Sequence, residues 1–136
     1  MTDQATYQAA AHRAEILRRA STGPLTDYLA GYRQGMWSTR GEVAPGTWQS
    51  PADETGPDLS RAARALGLAD GRTWDTGHRS GLIRLAARVL GVSHRVLAEQ
   101  HLTRDERTIR RWLSGEIVPP AVAVNALYQI CQPSAP

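Results

Sequence analysis

The chain contains no lysine; its sixteen cationic side chains in 136 residues are all arginine. A phosphate loop of the G-x-x-x-x-G-K type needs a lysine to reach the nucleotide, so that class of site is excluded. A GC-rich coding sequence would also produce an arginine-only set, so the absence alone says little about partners. Cysteine is nearly missing too. Cys131 stands alone, which rules out an internal disulfide framework and makes a reducing, cytoplasmic compartment the expected home. No apolar run approaches the roughly 20 residues that a membrane span needs, and the polar start Thr2-Asp3-Gln4 lacks a signal-peptide pattern.

Chemistry-bearing motifs are scarce as well. His12, His78, His94 and His101 include no pair three or four apart, and there is no second cysteine, so metal-ligand spacing is lacking. No G-x-S-x-G nucleophile motif occurs. Asp53, Glu54 and Asp58 fall in a stretch with no base or metal partner suggested. The expectation is therefore a protein that is not an enzyme and carries no cofactor and no metal.

What is present is uneven charge. The formal net charge is +3, yet residues 1–78 carry eight arginines against nine acids and residues 79–136 carry eight against four. Between Arg79 and Arg111 the only acids are Glu99, Asp105 and Glu106. A positive field concentrated in one half is the electrostatic footprint expected for a polyanionic partner.

The length allows one ordinary domain, or a small domain with an extension. A first helix is expected from about Asp3 to Ala20, with Tyr7, Ala10, Ala11, Ala14, Leu17 and Ile16 as its apolar stripe and Arg18 and Arg19 near its negative end. Ser21-Thr22-Gly23 breaks it, and Pro24 suits the first turn of a second helix through Tyr28, Leu29, Tyr32, Met36 and Trp37, giving a helical hairpin. From Thr39 to Pro57 the periodicity dissolves into a loop, which Trp48 is expected to pin to the body. A short helix, with Leu59, Ala62, Ala63 and Leu66 inward, is expected to stop at Gly67. AGYRQGM at 30–36 echoes TGHRSGL at 76–82, and glycines four apart offer a flat face for a close helix crossing. A further helix from Gly77 or His78 to Leu90 presents Leu82, Leu85, Ala86 and Val89.

The stretch Ser93–Pro120, SHRVLAEQHLTRDERTIRRWLSGEIVPP, holds two short helical patterns and a polar hinge. Thr103 with Glu106 three residues on reads as a capping box, so the second helix is expected to begin at Arg104. Ile109, Trp112 and Leu113 form one apolar stripe, and Ser114-Gly115 supplies the stop. Arg104, Arg107 and Arg111 share an outward face, although like charges at i, i+4 cost an isolated helix about 0.2–0.5 kcal/mol. A polyanion against that face reverses the sign. Arg110, four residues after Glu106, suits an intrahelical ion pair. Pro119-Pro120 opens a last helix with Val122, Ala123, Ala126, Leu127 and Ile130 inward.

LAEQ, DERTIRRWLSGE and PP together resemble the Cro-like, phage-repressor family of helix-turn-helix domains over roughly Ser80 to Ile130. The resemblance implies an all-α protein, with a C-terminal helix-turn-helix bundle and an N-terminal helical hairpin extension. The implied division is 1–56 for the hairpin and loop, 57–76 for a short helix and connector, 77–132 for the DNA-binding domain and 133–136 for a tail. It implies binding to double-stranded DNA, with Arg104, Asp105, Arg107, Thr108 and Arg111 reading bases and Ser93, His94, Arg95 and Arg110 on phosphates. The expected role is a transcriptional regulator, a repressor by operator occlusion, acting as a nucleoid-associated homodimer. The alternative is a phage or mobile-element interaction or inhibitor protein that retains the motif and grips a second protein through its N-terminal half. The family usually has a glycine at the hinge, whereas this chain has His101-Leu102-Thr103 and a hinge one residue longer.

Overall fold

Helical periodicity governs the chain wherever it is described. The computed structural model describes residues 4–39 and 58–132, and every regular element among them is helical. In order these are α1 (Gln4–Ala20), α2 (Pro24–Thr39), α3 (Leu59–Gly71), a 3₁₀ turn (Trp74–Thr76), α4 (Ser80–Leu90), α5 (His94–Val96) running on as a π-helical turn (Leu97–His101), α6 (Glu106–Ser114) and α7 (Ala121–Cys131). The protein is all-α. The expected loop, with its pinning Trp48, and the expected tail lie outside the described residues.

The tightest packing joins α2 to α3, and glycine makes it possible. Gly31 and Gly35 on α2 lie against the carbonyls of Arg64 and Leu68, while Gly67 and Gly71 on α3 lie against those of Tyr28 and Tyr32. A Cβ at any of the four would collide with backbone, so two helices each lacking a methyl every fourth residue approach main chain to main chain. Contacts rise in number together along both helices, from Tyr28 with Gly67 to Tyr32 with Gly71, so α2 and α3 run parallel.

Two sequence expectations change here. Gly67 does not stop α3, which continues to Gly71, because this glycine serves a close crossing rather than a cap. Of the echoed glycines, Gly31, Gly35 and Gly81 are crossing points, Gly81 lying against the Leu66 carbonyl and the Asp70 carboxylate, whereas Gly77 is in the left-handed region at φ 79°.

The core continues from this pair through α4 into α6 and α7. Tyr28, Leu29, Met36, Ala63, Leu66, Leu82, Ile83, Leu85, Leu97, Ile109, Trp112 and Leu127 form one buried cluster. One acid sits inside it. Asp70 is 3 % exposed; its carboxylate accepts from the Tyr28 hydroxyl at 2.6 Å and from the Gly81 and Leu82 amides at 2.9 Å each. The first amides of α4 would otherwise be unpaired in the interior, so a side chain from α3 caps α4 across the core. Burial pushes the Asp70 carboxyl above its usual range even though the three donors pull it down.

Candidate functional site

The turn between α5 and α6 departs from the expected geometry in three linked ways. Ser93 caps α5, its Oγ accepting from the Val96 amide at 3.2 Å. The helix then widens at Leu97–His101, where the Leu102 amide reaches back five residues to the Leu97 carbonyl and the Arg104 amide reaches back six to that of Ala98. Thr103 follows at φ 54°, the only left-handed non-glycine among the described residues. The extra hinge residue is thus absorbed by a π-turn, and the position where a glycine was expected from the resemblance is occupied by a strained threonine.

Helix α6 consequently begins at Glu106, not at Arg104. Asp105 is its N-cap, accepting from the Thr108 amide at 2.8 Å through Oδ1. The Thr103–Glu106 capping box does not form, because a left-handed Thr103 cannot serve as the cap of a helix that starts two residues later. Hydrogen bonding to Thr108, first through its side chain and then its amide, holds the exposed Asp105 carboxyl below its usual value.

The inward stripe is as the period demands. Ile109 is 0 % and Trp112 2 % exposed, and Leu113 is half-buried. Two residues earlier than the helix, exposed Arg104 lays its guanidinium 5.8 Å from the Trp112 ring centroid, on the outer side of that stripe. Arg107 is exposed and belongs to no ion pair among the described residues. Arg111 is half-buried and reaches Glu116 at 3.7 Å.

The remaining expected residues divide similarly. Arg110 pairs with Glu106 within the helix. Arg95 reaches Glu99 at 3.4 Å, both of them exposed. His94 is half-buried on the edge of α5, and burial, followed by the nearby Arg84, holds its imidazole below its ordinary pKa. Asp105 and Thr108 are engaged with each other at the helix start, which leaves Arg104, Arg107 and Arg111 as the extended donors of this face. Sequence reading did not single out the left-handed Thr103 or the π-turn, and nothing in the residue types signals either one. The added hinge residue was the only available clue.

Chemically, this surface offers guanidinium donors around the exposed start of a capped helix, a setting suited to binding phosphates and planar acceptor pairs. Burial pushes the Cys131 thiol up to about 12, so this thiol stays protonated. No group of three or more metal-ligating side chains lies together among the described residues, and no described helix is long and apolar enough to cross a membrane. No family model, no curated protein and no solved structure matches the chain.

Proposed function

We propose that α5 and α6 form a helix-turn-helix of the Cro-like kind and that the protein binds duplex DNA as a transcriptional repressor. The observation that carries this reading is the division of one nine-residue helix into a fully buried side, Ile109 and Trp112, and an exposed side with Arg107, flanked by Arg104. Arginine forks of this kind bond O6 and N7 of guanine together. Arg107 and Arg111 read base edges, with Arg104 at the groove mouth. Ser93, His94, Arg95 and Arg110 meet phosphates, and Asp105 and Thr108 order the helix start between them. Repression follows from occupancy of an operator.

One module has a short footprint, so the binding unit is a homodimer on half-sites about 34 Å apart. Ile16, 53 % exposed, and Leu17, 39 % exposed, are large apolar residues left uncovered on α1. Ile16, the more exposed of the two, supports the N-terminal hairpin as the joining surface.

Selection from a random duplex library, followed by fluorescence anisotropy over a salt series, tests the assignment. The expected result is one enriched, two-fold-related sequence whose log affinity falls with log salt at about −0.9 per neutralised phosphate. Failure to enrich any sequence, with a flat salt response, removes the regulator reading and leaves a protein-binding role.

A further inference from the structure

A half-open cleft of about 510 Å³ lies between α1, α2, the Trp74–Thr76 turn, residues 118–119 and the start of α7. That volume is in the range of small-molecule sites, about 300–1,000 Å³. Leu17, Tyr32, Trp74, Val118 and Tyr128 give it apolar and aromatic walls. Arg79 forms part of the same lining.

The surroundings of Arg79 are unusual for a withdrawn cation. Its guanidinium lies 4.5 Å from the Tyr32 ring centroid and 5.8 Å from that of Tyr128, and it donates to the Tyr28 hydroxyl at 3.2 Å. All three partners are neutral. Asp70 forms no ion pair with it and acts on it through that hydroxyl and by attraction at a distance, while the Asp70 carboxylate accepts from Tyr28, Gly81 and Leu82. None of the ion pairs among the described residues includes Arg79. Arginine has five N–H donors and keeps its charge; here the Tyr28 and Tyr128 hydroxyls and two ring faces are its partners, and none of them is a carboxylate. Arg13 lines the cleft from α1 and also lacks an ion pair among the described residues. Asp75, exposed on the 3₁₀ turn, is the sole acid in the lining, so the local balance favours an anion.

We propose that this cleft binds a small aromatic carboxylate, its carboxylate on Arg79 and Arg13 and its ring against Tyr32, Trp74 and Tyr128. Two guanidiniums match one carboxylate, and the aromatic walls match a flat apolar body better than a highly charged phosphate ester. The site needs no DNA and stands whether or not the DNA-binding reading does.

Calorimetric titration of the full chain tests it, with benzoate, phenylacetate and indole-3-acetate as probes and tryptamine as the cationic control. At least one carboxylate is expected to bind one-to-one and raise Tm, with tryptamine silent. Arg79→Leu should weaken that binding about tenfold or more. Asn125→Trp, at an exposed position in the cleft lining, provides a second reading that keeps Arg79 in place and fills part of the cleft with an indole. Silence from all three carboxylates at millimolar concentration, tryptamine binding as well as they do, or unchanged affinity in folded Asn125→Trp protein overturns the proposal.

Discussion

The arginines before Arg79 and those after it are used in opposite ways. In the first half one carboxylate gathers several cations: Glu15, its side chain 16 % exposed, holds Arg18 at 2.6 Å, Arg19 at 3.0 Å and also Arg33, while Asp27 holds Arg64 at 3.4 Å. The Arg18 hydrogen bond outweighs burial and holds the Glu15 carboxyl below its usual value. After Arg79, pairs such as Arg95–Glu99, Arg110–Glu106 and Arg111–Glu116 join residues no more than five apart in sequence, and Arg107 has none among the described residues. The same residue type therefore fastens α1 to α2 in one half and faces outward in the other. Composition alone does not distinguish the two uses; the local supply of acids does.

Backbone packing differs in the same direction. The α2–α3 pair is held by glycine-to-carbonyl contact, whereas α5 and α6 are joined through a widened turn and a left-handed threonine. Close backbone packing belongs to the first half and irregular backbone to the turn before the helix that carries Arg107. The largest expected effect breaks the close-packed side. Gly67→Ala drives a methyl into the Tyr28 carbonyl, which no rotamer change relieves, and should lower stability by about 3 kcal/mol. Gly91→Ala, with open space but φ 67°, should cost only about 1 kcal/mol. Urea unfolding with unchanged m-values measures both, and equal losses would show that the close crossing contributes nothing special.

Next comes the link between the halves. In Asp70→Asn an amide NH₂ replaces one acceptor oxygen and faces a donor from Tyr28, Gly81 or Leu82, so at least one buried group loses its partner. A loss of about 2 kcal/mol is expected in the same unfolding assay. Retained stability would mean that α4 does not depend on this cross-core cap.

The two uses of arginine separate most directly in a paired experiment. Arg107→Ala should weaken the selected duplex about tenfold and relax base preference while leaving Tm unchanged. Arg33→Ala should do the reverse, lowering stability by about 1–2 kcal/mol because Glu15 loses a partner, with duplex affinity intact. Arg95→Ala is expected to weaken all sequences alike and lower the salt slope by about one. Equal, sequence-blind losses from Arg107→Ala and Arg95→Ala would show that the reading helix is misplaced.

Legibility followed the same division. The period of 3.6 placed the helices and put Ile109 and Trp112 inward, because a buried stripe constrains residue type at each step. The inward side of α3 was also legible one position further than it was followed: Leu59, Ala62, Ala63 and Leu66 lead to Asp70, an acid on an apolar face. Gly67 misled because a glycine that ends a helix and a glycine that admits a neighbouring backbone look alike in one sequence. The start of α6 was misplaced because Thr103 and Asp105 are both good caps, and a backbone angle, not a propensity, decided between them. Thr103→Gly tests that angle. Relief of about 1–2 kcal/mol of left-handed strain, set against about 0.4–1 kcal/mol of added unfolded-state freedom, should leave a net gain of about 0.5–1 kcal/mol.

The smallest effect sits on His94, where the free protein and the proposed complex pull the same imidazole in opposite directions. Burial, then Arg84, depresses its folded pKa below the unfolded value of about 6.5. Its contribution to stability is therefore present above that unfolded value and is lost as pH falls through the depressed one, giving a shallow decline between about pH 7 and pH 5. A phosphate placed against His94 favours the cation instead, so duplex binding should take up a proton and tighten as pH falls over the same range. His94→Gln should flatten both slopes, each by a few tenths of a kcal/mol, the size of a weak screened interaction. If the stability slope disappears in His94→Gln but the affinity slope remains, the imidazole is a partly buried edge of α5 and the phosphate contact belongs to a neighbour.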